Sequence, residues 1–333
     1  MKYSIIVAVF NRPDEMEELL ASVARQSYQD FEVVVVEDGS TNTSEAVCKK
    51  WSNVLNILYY VKENGGPGPA RNYGCEHANG EVFIFLDSDC TVPEDWLKNV
   101  EQGMAARGLD AFGGPDREHP DFTSTQKAIS YAMTSFLTTG GIRGSKIRTG
   151  GSFHPRSFNM GIKRSVYDVT QGFAPMRFGE DIDLSIRMIK AGKSVGLLPE
   201  AWVYHKRRTD LRKFYRQVFN SGNARITLTL KHPGSLKLTH FFPAAITIYS
   251  AFAIVYSLGL PLGWTALVPL VFYYGLVALH ATITQHSLTV GFKAVVASFV
   301  QLTGYGLGFC RGLWISVILG RKQEYAFKTT YYR

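Results

Sequence analysis

Three long apolar runs with almost no charge fill the last third of the chain, and they restrict its fold more than any other feature. Phe241 to Leu260 is uncharged and about as long as a helix must be to cross a bilayer. Gly263 to Ile283 has only His280 as a titratable group, and Ala294 to Cys310 follows, interrupted by Gly304, Gly306 and Gly308. In succession these runs read as membrane-embedded helices rather than as buried helices of a large soluble domain.

A basic stretch precedes them. Lys206, Arg207, Arg208, Arg212, Lys213, Arg216, Arg225, Lys231 and Lys237 stand against one acid, Asp210. With Leu211, Phe214, Tyr215, Val218 and Phe219 at helical spacing, this is a basic amphipathic segment of the kind an anionic membrane surface attracts. Its place beside apolar runs favours that partner over nucleic acid. The bias of positive charge puts residues before 240 in the cytoplasm, with Pro261-Leu262-Gly263 as the outer turn of a hairpin. The basic tail from Arg321 to Arg333 should also stay inside, which asks for an even number of crossings. A re-entrant third segment bent at its glycines would give that, and three crossings with an outside tail is the alternative.

The formal net charge of +8 conceals an asymmetry, because the acids concentrate in the first two thirds of the 333 residues. Cys48, Cys75, Cys90 and Cys310 lack Cys-x-x-Cys spacing, which argues against a zinc knuckle or disulfide framework and fits a reducing compartment. Met1-Lys2 leads straight into a strand-like run, so no secretory leader is expected and the catalytic part is expected in the cytoplasm.

Strand and helix alternate from the start. Ser4 to Val9 is a β-branched run, Asp14 to Arg25 has helical periodicity, and Phe31 to Val36 is a second buried-type strand ending at Glu37-Asp38-Gly39-Ser40. A helix around 44–51 and a strand near 57–61 lead to the turn Asn64-Gly65-Gly66-Pro67-Gly68-Pro69, which opens a helix carrying Arg71 and Asn72. The pattern predicts a parallel sheet covered on both faces. Later strands are expected at 111–114 and 194–198, the second leading through Pro199 to Trp202-Val203-Tyr204-His205; order resumes at 159–162, and the segment Phe178 to Leu184 begins a helix. Residues 140–152, rich in Gly, Arg, Ser and Thr, read either as a lid or as a plain surface loop.

Phe83-Ile84-Phe85-Leu86-Asp87-Ser88-Asp89 is the segment that suggests chemistry. A buried strand delivers Asp87 and Asp89 on one face at its carboxyl end, where ligands bind in open α/β sheets. A solvated turn would explain the pair, and so would a seat for Mg²⁺ or Mn²⁺. Asp38 ends the second strand at the same edge. Neither a Gly-x-Gly-x-x-Gly after the first strand nor a Walker-type Gly-Lys-Ser is present, so a nucleotide site here would rest on acids and a cation. Glu180-Asp181 fits helix capping as well as catalysis. His205 fits a metal ligand or an interfacial histidine between Tyr204 and Lys206.

Taken in order, Ser-Ile-Ile-Val-Ala-Val-Phe-Asn, Val-Glu-Asp-Gly-Ser, the Asn64-to-Asn72 segment, Leu-Asp-Ser-Asp and Gly-Glu-Asp-Ile-Asp-Leu resemble family 2 glycosyltransferases of the GT-A fold, over roughly residues 3–220. The resemblance implies an α/β nucleotide-diphospho-sugar transferase domain over 1–205, a basic interfacial segment over 206–238 and membrane-embedded helices over 239–333. It implies that Asp38 binds the base, with Phe10 and Arg71 lining the pocket and Ser88 lying in the donor site. Asp87 would contact ribose or metal, Asp89 would ligate Mg²⁺ or Mn²⁺, Asp181 would be the catalytic base, and His205 matches a metal-binding position in part of the fold class. Arg216-Gln217 with Phe219 and Gly222 resembles a segment of membrane-attached members, while Glu37-Asp38 departs from the more usual Asp-Asp. The implied activity is inverting, metal-dependent transfer from a nucleoside-diphosphate sugar, UDP-linked for preference, to a lipid-linked or glycan acceptor at a bacterial inner membrane, in surface-polysaccharide assembly. A polyprenyl-phosphate glycosyltransferase and a catalytically inactive scaffold of the same fold are the other readings. A processive synthase would add a Gln-x-x-Arg-Trp motif, which the chain lacks.

Overall fold

The computed structural model describes residues 2–140, 153–206 and 210–321. The candidate lid over 140–152 lies almost wholly outside the described residues, as do Arg207, Arg208 and the basic tail beyond Arg321. Contacts divide the chain into two units, one of residues 1–119 and 151–206, the other of 120–150 and 207–324, with the C-terminal tail aside.

In the first unit the β-branched runs form β1 (Tyr3–Val9), β2 (Phe31–Asp38), β3 (Ile57–Lys62) and β4 (Val82–Asp87). These associate in the order β3-β2-β1-β4, all parallel. Val33 to Val36 are all fully buried, which requires cover on both faces. Alternate residues supply it. Ile5, Val7, Val33, Val35, Ile84 and Leu86 pack with α1 (Pro13–Val23) and α4 (Trp96–Arg107). Ile6, Val34, Val36, Phe83 and Phe85 pack with α3 (Pro67–His77), α7 (Arg164–Thr170) and α8 (Glu180–Lys190). Each such side chain contributes about 1.5–3 kcal/mol when fully buried.

The sheet departs from the predicted parallel pattern beyond β4. There β8 (Asn159–Lys163) pairs antiparallel with both β4 and β6 (Ala111–Gly113), and β9 (Val195–Leu197) closes the edge parallel to β6. No short strand-helix-strand crossover delivers β8; α4, β6 and residues 120–150 intervene, so its direction is not tied to that of β4. A second sheet joins β5 (Cys90–Thr91), β10 (Val203–His205) and β7 (Asp116–Arg117). One short helix, α2 (Glu45–Trp51), completes this unit.

The second unit takes in α5 (Ser124–Thr134) and α6 (Phe136–Thr139), which fall inside the span 1–205 that the sequence gives to one domain. With them stand α9 (Leu211–Lys231), α10 (Phe242–Gly259), α11 (Val268–Gln285) and α12 (Leu288–Leu313). Among the described residues, three stretches are long and apolar enough to cross a membrane: Leu238–Gly259, Gly263–Gln285 and Leu288–Ile318. The helix α12 runs unbroken through Gly304, Gly306 and Gly308, so they do not mark a helix break. They mark close backbone approach instead. A Cβ on Gly308 would lie 1.9 Å from the Phe219 carbonyl oxygen of α9, and one on Gly306 would lie 2.5 Å from that of Pro243 in α10. Gly222 of α9 answers from the other side, 2.1 Å from the Tyr305 oxygen by the same construction.

Candidate active site

Strand order β3-β2-β1-β4 makes the β1/β4 border a switch point, where the loops after the strands part and leave a crevice at the carboxyl edge. Phe10, Asn11 and Arg12 leave β1 there, Asp38 ends β2, and Asp87, Ser88 and Asp89 leave β4. Asn159 pairs with Leu86 at the end of β4, so the residues just before β8, including Arg156 and Phe158, arrive at the same edge.

Asp38 is buried and its carboxylate is fully engaged. It accepts hydrogen bonds from the Gly65 and Gly66 backbone N–H groups at 2.8 and 2.7 Å and from Lys62 Nζ at 3.0 Å. Gly66, at φ +90°, adopts a conformation that costs a glycine little, and this aims its N–H at the acid. The neighbouring Glu37, also buried, accepts from the Ser44 N–H at 2.5 Å and from the Ser40 hydroxyl.

Arg71 ties β4 to α8. Its side chain is only 5% exposed, and it donates to Asp87 Oδ1 at 2.7 Å and to Glu180 Oε1 at 3.2 Å. Burial opposes its charge, yet Asp87 and Glu180 hold it firmly ionised and its pKa is raised. Glu180 responds to the same surroundings: burial first, then the charge of Asp181, pushes its carboxyl up to about 7, against the pull of Arg71. Asp181 follows directly, accepting from its neighbour's Ile182 N–H at 2.8 Å and from Arg156 at 3.2 Å. The two acids of the helix start are thus held differently: Glu180 joins the buried clamp, and Asp181 stands beside it.

Asp89 receives Arg12 at 3.0 Å on Oδ2 and lies 3.2 Å from His205 Nε2 through Oδ1. Backbone pairing of His205 with Cys90 sets that approach, and Phe158 stacks on the imidazole at 4.9 Å. His205 thus lies beside Asp89 at this edge. Tyr204, facing the other way on β10, lines a separate cavity of about 440 Å³ with Glu18, Arg25 and His119, to which none of the edge acids contributes.

The edge fits a divalent cation. Asp89, Cys90 and His205 each offer one ligand atom, all within 4.8 Å of one another. The carboxylate oxygen suits Mn²⁺ or Mg²⁺, and burial pushes the Cys90 thiol well up and away from thiolate character. Arg12, Lys62, Arg156 and the clamp role of Glu180 are absent from the sequence-derived site. Arg12 had a signal, since a basic residue directly after a first buried strand stands at the ligand edge.

Comparison with known proteins defines the class. Residues 4–170, half of the 333-residue chain, match the family model "Glycosyl transferase family 2", so the chain belongs to that family. It is 37% identical over 114 residues to glycosyltransferase GlyA of Streptococcus pneumoniae, covering 34% of this chain and 16% of that protein. It is 40% identical over 104 residues to the poly(ribitol-phosphate) beta-N-acetylglucosaminyltransferase TarS of Staphylococcus aureus, covering 30% of this chain and 18% of that one. The chain therefore matches less than a fifth of the length of these two relatives. Among solved structures, the mannosyltransferase PcManGT of Pyrobaculum calidifontis, in complex with GDP-Man and Mn²⁺, superposes with TM-score 0.60 at 17% identity, covering 94% of this chain and 87% of that one. S. aureus TarS 1-349 in complex with UDP-GlcNAc gives TM-score 0.51 at 19% identity, covering 93% and 92%. These likenesses show the fold, which is of the GT-A type.

Proposed function

We propose that the chain transfers a sugar, with inversion, from a nucleoside-diphosphate sugar to a hydroxyl of a lipid-linked or glycan acceptor in bacterial surface-polysaccharide assembly. The observation that carries this reading is the Arg71 clamp, which joins Asp87, the last residue of β4, to Glu180 at the start of α8 and so brings the acids of the two elements to one edge. The nucleotide-sugar complexes of the two structural neighbours support the donor class, and the TarS relative favours a UDP-linked one. Three apolar helices support a membrane seat, with the inner membrane and a cytoplasmic first unit as the proposed arrangement.

Asp89 and His205, with Asp87 beside them, would hold Mg²⁺ or Mn²⁺. Such an ion supplies Lewis-acid neutralisation of the charge developing on the departing diphosphate. The chain's own residues do the rest. Asp38 with the Gly65-Gly66 turn, Phe10, Ser88 and Arg71 form the nucleotide end of the site. Asp181 takes the proton from the acceptor hydroxyl as that oxygen attacks the anomeric carbon from the face opposite the leaving group. Arg156, now on Asp181, must yield to the incoming hydroxyl.

In Asp181→Asn, transfer should fall by a factor of about 100 or more while nucleotide binding persists, since general base catalysis contributes typically 10²–10⁴-fold. Turnover equal to wild type in a transfer assay would sink the assignment. Asp89→Ala should instead weaken donor binding only when Mn²⁺ is supplied, read by calorimetry with and without the ion.

A further inference from the structure

We propose that Arg12 is a movable counter-charge for Asp89, and that it passes from Asp89 to the donor's diphosphate, making cation and nucleotide bind cooperatively. The inference rests on the metal-assisted reading above.

The backbone at Arg12 is fixed. Asn11, at φ +54°, donates its N–H to the Ser40 hydroxyl at 2.9 Å. Its side-chain oxygen accepts from the Thr41 and Asn42 N–H groups, each at 2.8 Å. Pro13 then opens α1. Only the side chain of Arg12 is left to move, and it is 32% exposed. The same Nη1 reaches Asp89 Oδ2 at 3.0 Å and Glu15 Oε2 at 2.7 Å, so a second carboxylate stands ready to receive it.

Among the described residues, Arg71, Lys62 and Arg156 are engaged elsewhere at this edge. Arg71 is buried between Asp87 and Glu180, Lys62 serves the buried Asp38, and Arg156 serves Asp181. Of these four, Arg12 is the one on Asp89, and Arg71, which holds Asp87, is buried and shared with Glu180. Its guanidinium occupies one oxygen of Asp89 and adds positive charge where a divalent cation would have to settle, so the two compete. Displaced, it stays anchored at the β1/β4 switch point, where a planar five-donor fork suits a diphosphate. A nucleotide that takes Arg12 would free Asp89 for the ion, and by linkage the ion would free Arg12 for the nucleotide.

The test is Mn²⁺ titration of the detergent-solubilised full chain, following the free-ion electron paramagnetic resonance signal, alone and with UDP or GDP. Arg12→Gln should bind Mn²⁺ alone several-fold more tightly than wild type, and the gain in Mn²⁺ affinity that the nucleotide confers should shrink. Glu15→Gln removes the alternative carboxylate and should move Mn²⁺ affinity the opposite way. A loss of fold would weaken binding in both variants, so opposite signs cannot come from misfolding. If wild type binds Mn²⁺ but Arg12→Gln binds it no more tightly, the proposal fails while the metal reading stands. If wild type binds the nucleotide and no Mn²⁺ under any condition, both fail.

Discussion

At the scale of single residues, the edge of the sheet is a set of carboxylates each held by a basic group, and Glu180 is the one whose proton affinity the fold changes most plainly. Burial, with Asp181 adding to it, lifts its carboxyl from 4.5 to about 7. A carboxyl raised in the folded state keeps its proton while the unfolded chain loses it, so folding stability declines as pH rises from about 4.5 to about 7. Glu180→Gln should remove that slope. Its melting temperature relative to wild type should therefore climb through this window, and a difference that stays constant with pH would refute the argument. The acids themselves were legible in the sequence because each ends an apolar run: Asp38 after Val33 to Val36, Asp87 and Asp89 after Phe83 to Leu86. Of their basic partners, Arg71 belongs to the sequence-derived site, whereas Arg12, Lys62 and Arg156 come from separate segments and only the folded sheet brings them to their acids.

Elements were easier to read than their partnerships. β1, β2, β3 and β4 lie within a residue or two of the expected spans; in β1, β2 and β4 apolar runs buried on both faces leave little choice, while β3 is a half-buried edge strand. α4 is not among the expected elements although Trp96, Leu97, Val100 and Met104 recur at helical spacing, and β8 gives no local sign of its direction. Glycine is the instructive failure. In sequence, Gly304, Gly306 and Gly308 signal a weak point in a helix, whereas in the structure they are where α9 and α10 press closest. Gly308→Ala should cost about 1–3 kcal/mol through overpacking against the Phe219 carbonyl. Gly275→Ala on α11 has nothing within 4 Å of the added carbon and should be neutral or stabilising by up to about 1 kcal/mol. Thermal melts of both variants in detergent would check the contrast; equal losses would contradict it.

For the molecule as a whole, the long apolar helices predict that the full chain sediments with membranes and stays in the pellet after alkaline carbonate washing. Release into the supernatant would exclude embedding. The order of the chain through its two units also bears on how the protein is made. α5 and α6 emerge early, yet the Tyr131 hydroxyl pairs with His280, 149 residues later, and the Leu137 carbonyl with the Tyr273 hydroxyl, 136 later. At 5–20 residues per second, a ribosome needs roughly 7–30 s to deliver those partners. Throughout that interval an apolar segment belonging to the second unit hangs from the middle of the first, so assembly of the transferase unit has to proceed around an insertion that cannot yet close.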